Sequence, residues 1–595
     1  MDARLVEEFP PVSTERWKEA VIRDLKGADY EKKLIWRTED GINVKPFYRS
    51  EDLEGLTAID SLPGEFPYLR GTRSSNAWRI RERIEVTDLR TANETARKAV
   101  SAGAEEIAFV LDKLRLESAA DLAALMEGLE CPVHFEAGRN GLAVLRLLAE
   151  VAASPRKLQG SLDYDPHMDG ISPNEVEGML ELVRRVITHA PMFRPLAVNA
   201  YRFHDAGATT VQELGYALSA GVDYLGGLTA RGFSLDDAAR SLGFTYAAGS
   251  NFFFEIAKLR AARVLWAQAV QSFGPSNTDS AKAAIHVRGS RWNKTIYDPE
   301  VNILRGTTEA MSAAMGGCDS LEVPPFDACY RYPDELSRRL ARNTQILLKK
   351  ETWLDRSVDP AGGSYYVEAL TDSLAREAWK LMQEVEKAGG FHKAWEAGSI
   401  QAQIEASRKA KENAVATRRR AIVGTNQYPN QQERMLDRVE RKPEDEISPR
   451  AAEVFERIRL RTERHAALTG RFPLFLLAEI GDLKMRNARS GFAANFFGCA
   501  GFRTEAMHFA DAAVAAAEAA KRQADAIVLC SSDEEYTSLL PAVTSGAGGI
   551  PVIIAGYPKD TVDELRRAGA ADFIHIRSNI AEVLAAWQAK LGIEG

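Results

Sequence analysis

EEIAFVL (105–111), SAADLAALMEGL (118–129), CPVHFEAG (131–138) and NGLAVLRLLAEVAAS (140–154) follow one another in a single rhythm, a short apolar run and then an amphipathic stretch of helical period. The same alternation continues through LQGSLDYD (158–165), SPNEVEGMLELVRRVITHA (172–190), RPLAVNAYRF (194–203) and TTVQELGYALSAGV (209–222). Apolar runs this short, alternating with helical patterns, predict parallel strands covered on both faces by crossover helices. With AAIHVRGS (283–290) and SLEVP (320–324) added, there are more strands than one small sheet needs. A TIM-like (β/α)8 barrel over residues 81–400 is the natural closure.

Outward from the barrel, residues 1–80 mix a short helical signal (Glu15 to Leu25) with polar, Pro- and Gly-punctuated stretches, and read as an arm that leads into the barrel and packs on something else. Residues 401–470 are polar. RKAKENAVATRRR (408–420) and YPNQQERMLDRVERKPEDEISPR (428–450) are too poor in apolar residues to fold alone, which predicts a belt or linker, with AAEVFERIRLRTERHAAL (451–468) as a long solvated helix. From 471 to 595 a second rhythm starts, with strands at PLFLLAEI (473–480), ADAIVLCS (524–531), IPVIIAGY (550–557) and DFIHIRS (572–578) and a weaker one at RTEAMHF (503–509). Five βα units predict a flavodoxin-like doubly wound sheet, whose ligands lie beyond the carboxyl ends of the strands.

Composition narrows the function. The 595 residues are 45% hydrophobic and 27% charged, as in ordinary globular chains, and length favours two or three domains. A formal charge of −8 argues against a nucleic-acid surface. Cys131, Cys318, Cys329, Cys499 and Cys530 are scattered, with neither disulfide nor zinc spacing, and read as small buried apolar residues. The N-terminus carries acidic residues and no long apolar run, so it reads as neither signal nor transit peptide, and no stretch approaches a membrane span; the expectation is a cytoplasmic protein.

Five stretches, in shared order, carry a resemblance over essentially the whole chain. DGINVKPFYRSEDL (40–53), FPYLRG (66–71), DAGATTVQELGYALSAGVDYL (205–225), NFFFEIAKLRAARVLWA (251–267) and DPAGGSYYVEALT (359–371) resemble the methylmalonyl-CoA mutase family. The resemblance implies a mutase-type barrel followed by a cobalamin-binding-type α/β domain. In catalytic members adenosylcobalamin is held between the two and methylmalonyl-CoA is isomerised to succinyl-CoA by radical rearrangement, a step of propionate metabolism. The first loop of their C-terminal domain carries D-x-H-x-x-G, in which the His donates a lone pair to cobalt, the Asp orients it and the Gly admits the nucleotide tail.

This chain departs from that pattern in three places. Asp482 matches the Asp, but Lys484 takes the His position and Asn487 the Gly position, and Ala555-Gly556-Tyr557 replaces a Gly-Gly pair after the fourth strand. An ammonium offers no lone pair, and removing the proton of an ordinary Lys at pH 7 costs about 4–5 kcal/mol. In the barrel, a catalytic Tyr precedes an R-P-W-T stretch in catalytic members; here FPYLRG runs into the shorter TRSSNAWRIRE (72–82), with no Tyr before Trp78. The third departure is at Y-H-x-Q-E-A-G-A, whose His donates to the substrate carbonyl. Here Arg202 takes that His position and His204 the Gln position. If the strand runs on to 204, both point to one side and form a polar patch, either a retained acyl-CoA pocket or the filling of a disused barrel end.

Other conspicuous residues read as structural. Phe252 to Phe254 and Trp266 fit a helix core, and His465 and His508 stand alone. Asp163, Asp165, His167 and Asp169 lack the last ligand of a calcium loop and fit a barrel loop, while 408–420 fits a solvated helix face. The expectation is the non-catalytic small subunit of a heterodimeric adenosylcobalamin-dependent mutase. It would have no catalytic, cofactor-binding or metal residue of its own, cobalamin would sit on a homologous catalytic large subunit, and arm residues 1–45 would embrace that partner. The alternatives are an autonomous divergent acyl-CoA mutase and an acyl-CoA-binding regulatory protein.

Overall fold

A computed structural model describes residues 12–152, 158–440 and 449–594. Eight parallel strands close the barrel: β1 Arg79–Glu85, β2 Glu106–Val110, β3 Val133–Glu136, β4 Gly160–Leu162, β5 with segments Phe193–Arg194 and Leu196–Val198, β6 Leu242–Ala248, β7 Ile285–Gly289 and β8 Ser320–Glu322. Pro195, which lacks an N–H, splits β5. The first half of β5 pairs with β4 and the second with β6, and that exchange completes the ring.

β1 and β6 escaped the reading by apolar runs. RIRERIE of β1 alternates, with Ile80 and Ile84 buried under the helices and Arg81 and Arg83 turned to a polar lumen. β5 ends at Val198, and Ala200–Asp205 is a helix, so the expectation of a strand running on to 204 fails. The barrel's core lies between sheet and helices. Its Phe252–Ser272 helix is buried almost all round: Phe254 is core and Trp266 packs on Phe244 at 4.7 Å, whereas Phe253 is exposed.

The second sheet comprises β9 Leu474–Glu479, β10 Arg503–His508, β11 Ala526–Cys530, β12 Val552–Ile554 and β13 Ala570–Phe573, all parallel in the order β10-β9-β11-β12-β13. Chain direction across the sheet reverses between β9 and β11, which places the topological switch point at the loops that follow them. β9 and β11 are buried on both faces, as their continuous apolar runs require; β10 is an exposed edge.

The 408–420 run is not a solvated face. Lys411 is buried and donates to the Ala208 carbonyl at 2.7 Å, Arg420 reaches Ser250 at 3.3 Å, and Arg418 donates to Asn495 Oδ1 at 2.7 Å. These cations strap the barrel to the second sheet's first helix. Trp292, from the loop after β7, enters the apolar cluster of that sheet beside Phe455 and Phe497. The belt itself contains the helices Ser399–Ala416 and Glu453–Thr469, and residues 441–448 of it lie outside the described residues. So do residues 1–11 of the arm, whose Thr14–Asp24 helix buries no residue; its Trp17 stacks on Phe47 at 5.1 Å. Among the described residues no helix is long and apolar enough to cross a membrane.

Candidate functional site

At the switch point, β9 leads through Gly481 directly into the helix Leu483–Gly498. Asp482 is that helix's N-cap: its Oδ1 accepts from the Met485 N–H at 2.8 Å, satisfying an otherwise orphaned donor. One of its carboxylate oxygens is thereby given to the backbone. Lys484 lies in the first turn, exposed, and Asn487 lies in the second.

Glu535 closes the same crevice from the loop after β11. It accepts from Ser531 Oγ at 2.6 Å, Ser532 Oγ at 2.8 Å and the Asp482 N–H at 3.3 Å. The serine hydrogen bonds hold its carboxyl down at about 2. Gly481 has φ +80°, and a Cβ there would stand 2.3 Å from Glu535 Oε1, so the backbone passes directly beneath this carboxylate. Arg489 pairs with Asp533 at 2.8 Å, and Tyr557 packs on His575 at 4.8 Å. A corrin with a nucleotide tail needs a lone-pair donor and an open slot. The residues present offer a cation and a continuous helix, and they do not fit that group.

At the amino end of the barrel, where the chain enters β1, the link from Gly71 is short and pinned. Asn76 donates to the Ala314 and Leu354 carbonyls, and buried Trp78 donates to Gln345 Oε1 at 3.3 Å. Arg202 and His204 do not share a side. Two residues apart on a helix, they diverge: Arg202 pairs with Asp169 at 2.7 Å, while His204 meets Ser290 Oγ at 2.9 Å and Glu213 at 3.3 Å. The 163–169 loop is tied to the barrel helices, although Asp163 Oδ1 and Tyr164 Oη are buried without a hydrogen-bond partner among the described residues. Asp165 accepts from Tyr224 Oη at 2.6 Å, and burial pushes its carboxyl up to about 6; His167 lies on the Tyr224 ring at 4.1 Å, and burial pulls it down to about 3. Among the described residues no group of three or more His, Cys, Asp or Glu side chains could hold a metal ion.

The lumen is crossed by charge. In one layer Arg81 and His134 converge on Glu106 at 3.0 and 3.1 Å, and His134 and His286 each bond a serine, Ser161 and Ser320, at 2.8 Å. Nearer the carboxyl ends, Arg83 pairs with Glu136 at 2.9 Å and Arg288 with Glu322 at 3.3 Å, the Arg288 guanidinium lying 4.4 Å from the Tyr201 ring centroid. This second layer is a septum between two cavities. One, of about 320 Å³, opens at the amino ends of the strands and reaches Glu136 and Arg288; the other, of about 630 Å³, lies toward the carboxyl side and reaches Arg83, Arg288 and Glu322. Nothing in the strand sequences marked these residues as one layer, because they come from four separate strands.

The segments that carry the family resemblance meet in buried ion pairs. Arg70 of FPYLRG and Arg260 of the Phe252–Ser272 helix both pair with Asp359 and Glu368 of DPAGGSYYVEALT, Arg70 to Asp359 at 2.9 Å and Arg260 to Glu368 at 2.8 Å. Lys258 of that helix pairs with Glu213 of the 205–225 segment at 2.7 Å; burial alone would raise Glu213, but Lys258 and His204 bring it down to about 2. The most recognisable residues are thus scaffold nodes.

Comparison with known proteins agrees with that architecture. The profile of the family described as methylmalonyl-CoA mutase matches residues 37–121 and 114–470, ending before the second sheet. The methylmalonyl-CoA mutase small subunit of Porphyromonas gingivalis is 42% identical, with 99% of each chain covered. The small subunit of Streptomyces virginiae is 34% identical over 93% of each chain. The large subunit of Streptomyces virginiae is 32% identical over 77% of this chain and 67% of its own length. The chain belongs to the methylmalonyl-CoA mutase family.

Proposed function

We infer that this chain is the non-catalytic small subunit of a heterodimeric, adenosylcobalamin-dependent methylmalonyl-CoA mutase, working in the cytoplasm beside a homologous large subunit that carries the cobalamin and the chemistry. One observation carries the reading: the helix beginning at Leu483, with Asp482 spent as its cap and Lys484 where an imidazole would have to stand. Radical isomerisation requires a held cofactor, an oriented substrate and excluded water together. In this chain Glu535 stands across the switch-point loops, tied to the Asp482 N–H, and the barrel axis is interrupted by the Arg83–Glu136 and Arg288–Glu322 pairs. The names of the relatives support the pairing, since Streptomyces virginiae has both a small and a large subunit.

The role left to the chain is mechanical, with a rigid barrel and an arm whose helix buries none of its own residues presented to the partner. The test is reconstitution. The isolated chain, mixed with adenosylcobalamin and gel-filtered, should emerge with no corrinoid absorbance and no mutase turnover; mixed with its large subunit it should form a 1:1 complex with turnover. Stoichiometric corrinoid on the isolated chain would overturn the reading, as would full activity of a large subunit that never binds this one.

A further inference from the structure

The arm contains a short hairpin, Trp36–Arg37 against Asn43–Val44, whose turn carries two adjacent acids, Glu39 and Asp40. Thr38 closes the turn: its Oγ1 donates to the Ile42 carbonyl at 2.8 Å and accepts from the Ile42 N–H at 3.1 Å. The base is anchored, because Ile42 and Val44 belong to the barrel's apolar cluster. The tip meets only polar partners. Asp40 Oδ1 accepts from the Val211 N–H at 2.8 Å, in the first turn of the Thr210–Ala230 helix, and Glu39 stands between two cations of the belt, Lys411 at 3.3 Å and Arg420 at 3.5 Å.

Those two cations are the barrel end of the strap that holds the second sheet. Lys411 is buried on the Ala208 carbonyl, 5.8 Å from the ring of Trp292, which enters that sheet's apolar cluster; Arg420 reaches Ser250, and Arg418, two residues before it, holds Asn495. Burial pulls the Lys411 ammonium below its ordinary range, Glu39 pushes it back, and Arg420 opposes Glu39. The carboxylate of Glu39 is therefore the counter-charge that lets both cations seat against the barrel. It comes from neither barrel nor belt, but from the arm.

We propose that the hairpin tip couples the arm to the joint between the barrel and the second sheet: with Glu39 seated the strap is closed, and a shift of the arm that withdraws Glu39 leaves two like charges facing each other and loosens it. Such a device needs a handle, a pivot and a latch. The handle is the Thr14–Asp24 helix, which buries no residue and can be taken hold of without unmaking core; the pivot is Ile42 with Val44, and the latch is Glu39. On the reading that a large subunit engages the arm, docking sets how firmly the second sheet is held. The coupling itself belongs to this chain alone.

Hydrogen exchange of the full chain, resolved by segment with mass spectrometry, tests it. Glu39→Gln keeps the side chain's shape and removes its charge; it should raise exchange across residues 411–426 and in the helix Leu483–Gly498 on the order of tenfold, and leave the barrel strand Glu106–Val110 unchanged. Adding Arg420→Gln to that chain should reverse most of the rise, because the repulsion goes with the second cation. Glu31→Gln, in the arm's short helix Tyr30–Leu34, should leave every segment as it is. A Glu39→Gln chain whose strap exchanges like the wild type would overturn the coupling, as would a rise spread evenly over barrel and second sheet, or a double variant no slower than the single one. Should Glu39→Gln fail to fold, Glu39→Asp serves in its place: its carboxylate falls one methylene short, a smaller rise confined to the same segments is expected, and no rise refutes the latch. None of these measurements involves cobalamin or a large subunit, so their failure and that of the reconstitution are distinct.

Discussion

Two regions of this chain are built from charged residues to opposite ends. The node of Arg70, Arg260, Asp359 and Glu368 lies buried where a link, a helix and a turn from distant parts of the chain meet. The switch point of the second sheet, with Asp482, Lys484, Glu535 and Arg489, lies at an exposed edge. In the first, each charge is matched and its identity is dictated, since replacing one partner strands another in low dielectric. In the second, side chains are free to differ as long as the helix is capped and the loops are tied. Charge holds the fold at the node, whereas at the switch point it is spent on a helix cap and loop ties.

Breaking the node should produce the largest effect. Glu368→Ala leaves Arg260 and Arg70 short of a partner and should destabilise the chain by about 3–5 kcal/mol, read as a shift in the denaturant midpoint; a loss below about 1 kcal/mol would mean that the node holds the fold no better than an exposed ion pair.

The lumen should respond to pH. Burial, and then the Glu136 charge, push Asp163 up to about 7, so the folded chain keeps a proton between roughly pH 4 and 7 that the unfolded chain has lost. Stability falls as pH rises through that window. Asp163→Asn should remove this fall, matching the wild type near pH 4 and exceeding it at pH 8 by on the order of 1–3 kcal/mol in parallel melts.

At the strap, Arg418→Ala loses its bonds to Asn495 and the Asn426 carbonyl and should cost about 1–2 kcal/mol, with proteolysis between the barrel and the second sheet accelerated. The smallest expected effect is the sharpest probe of the exposed edge. Lys484→His should change stability by less than about 0.5 kcal/mol and bring no corrinoid spectrum, because the helix still begins at Leu483 and Glu535 still fills the slot. Cobalamin capture by that single variant would mean that the crevice had lost only its ligand.

Much of this fold is legible in the sequence. The apolar runs at 105–111, 473–480 and 524–531 predict doubly covered parallel strands, and Asp482, three residues before Met485, is a readable helix cap. RIRERIE was not legible as a barrel strand, because its apolar face is only every second residue and the other face meets charge instead of core. Arg202 and His204 could be named but not aimed, since one helical turn in place of two strand residues sends them to different partners.

Residue chemistry alone settled that position 484 carries a lysine where an imidazole would be needed to meet a metal, and that the chain alternates strands with helices twice over. Packing alone could settle that Arg83, Glu136, Arg288 and Glu322 form one septum and that Glu535 ties the loops of the switch point together. The division has a physical cause. Periodicity and side-chain type are local properties of a sequence, whereas the pairing of charges is decided by which distant strands the closing of a ring brings within a few ångströms.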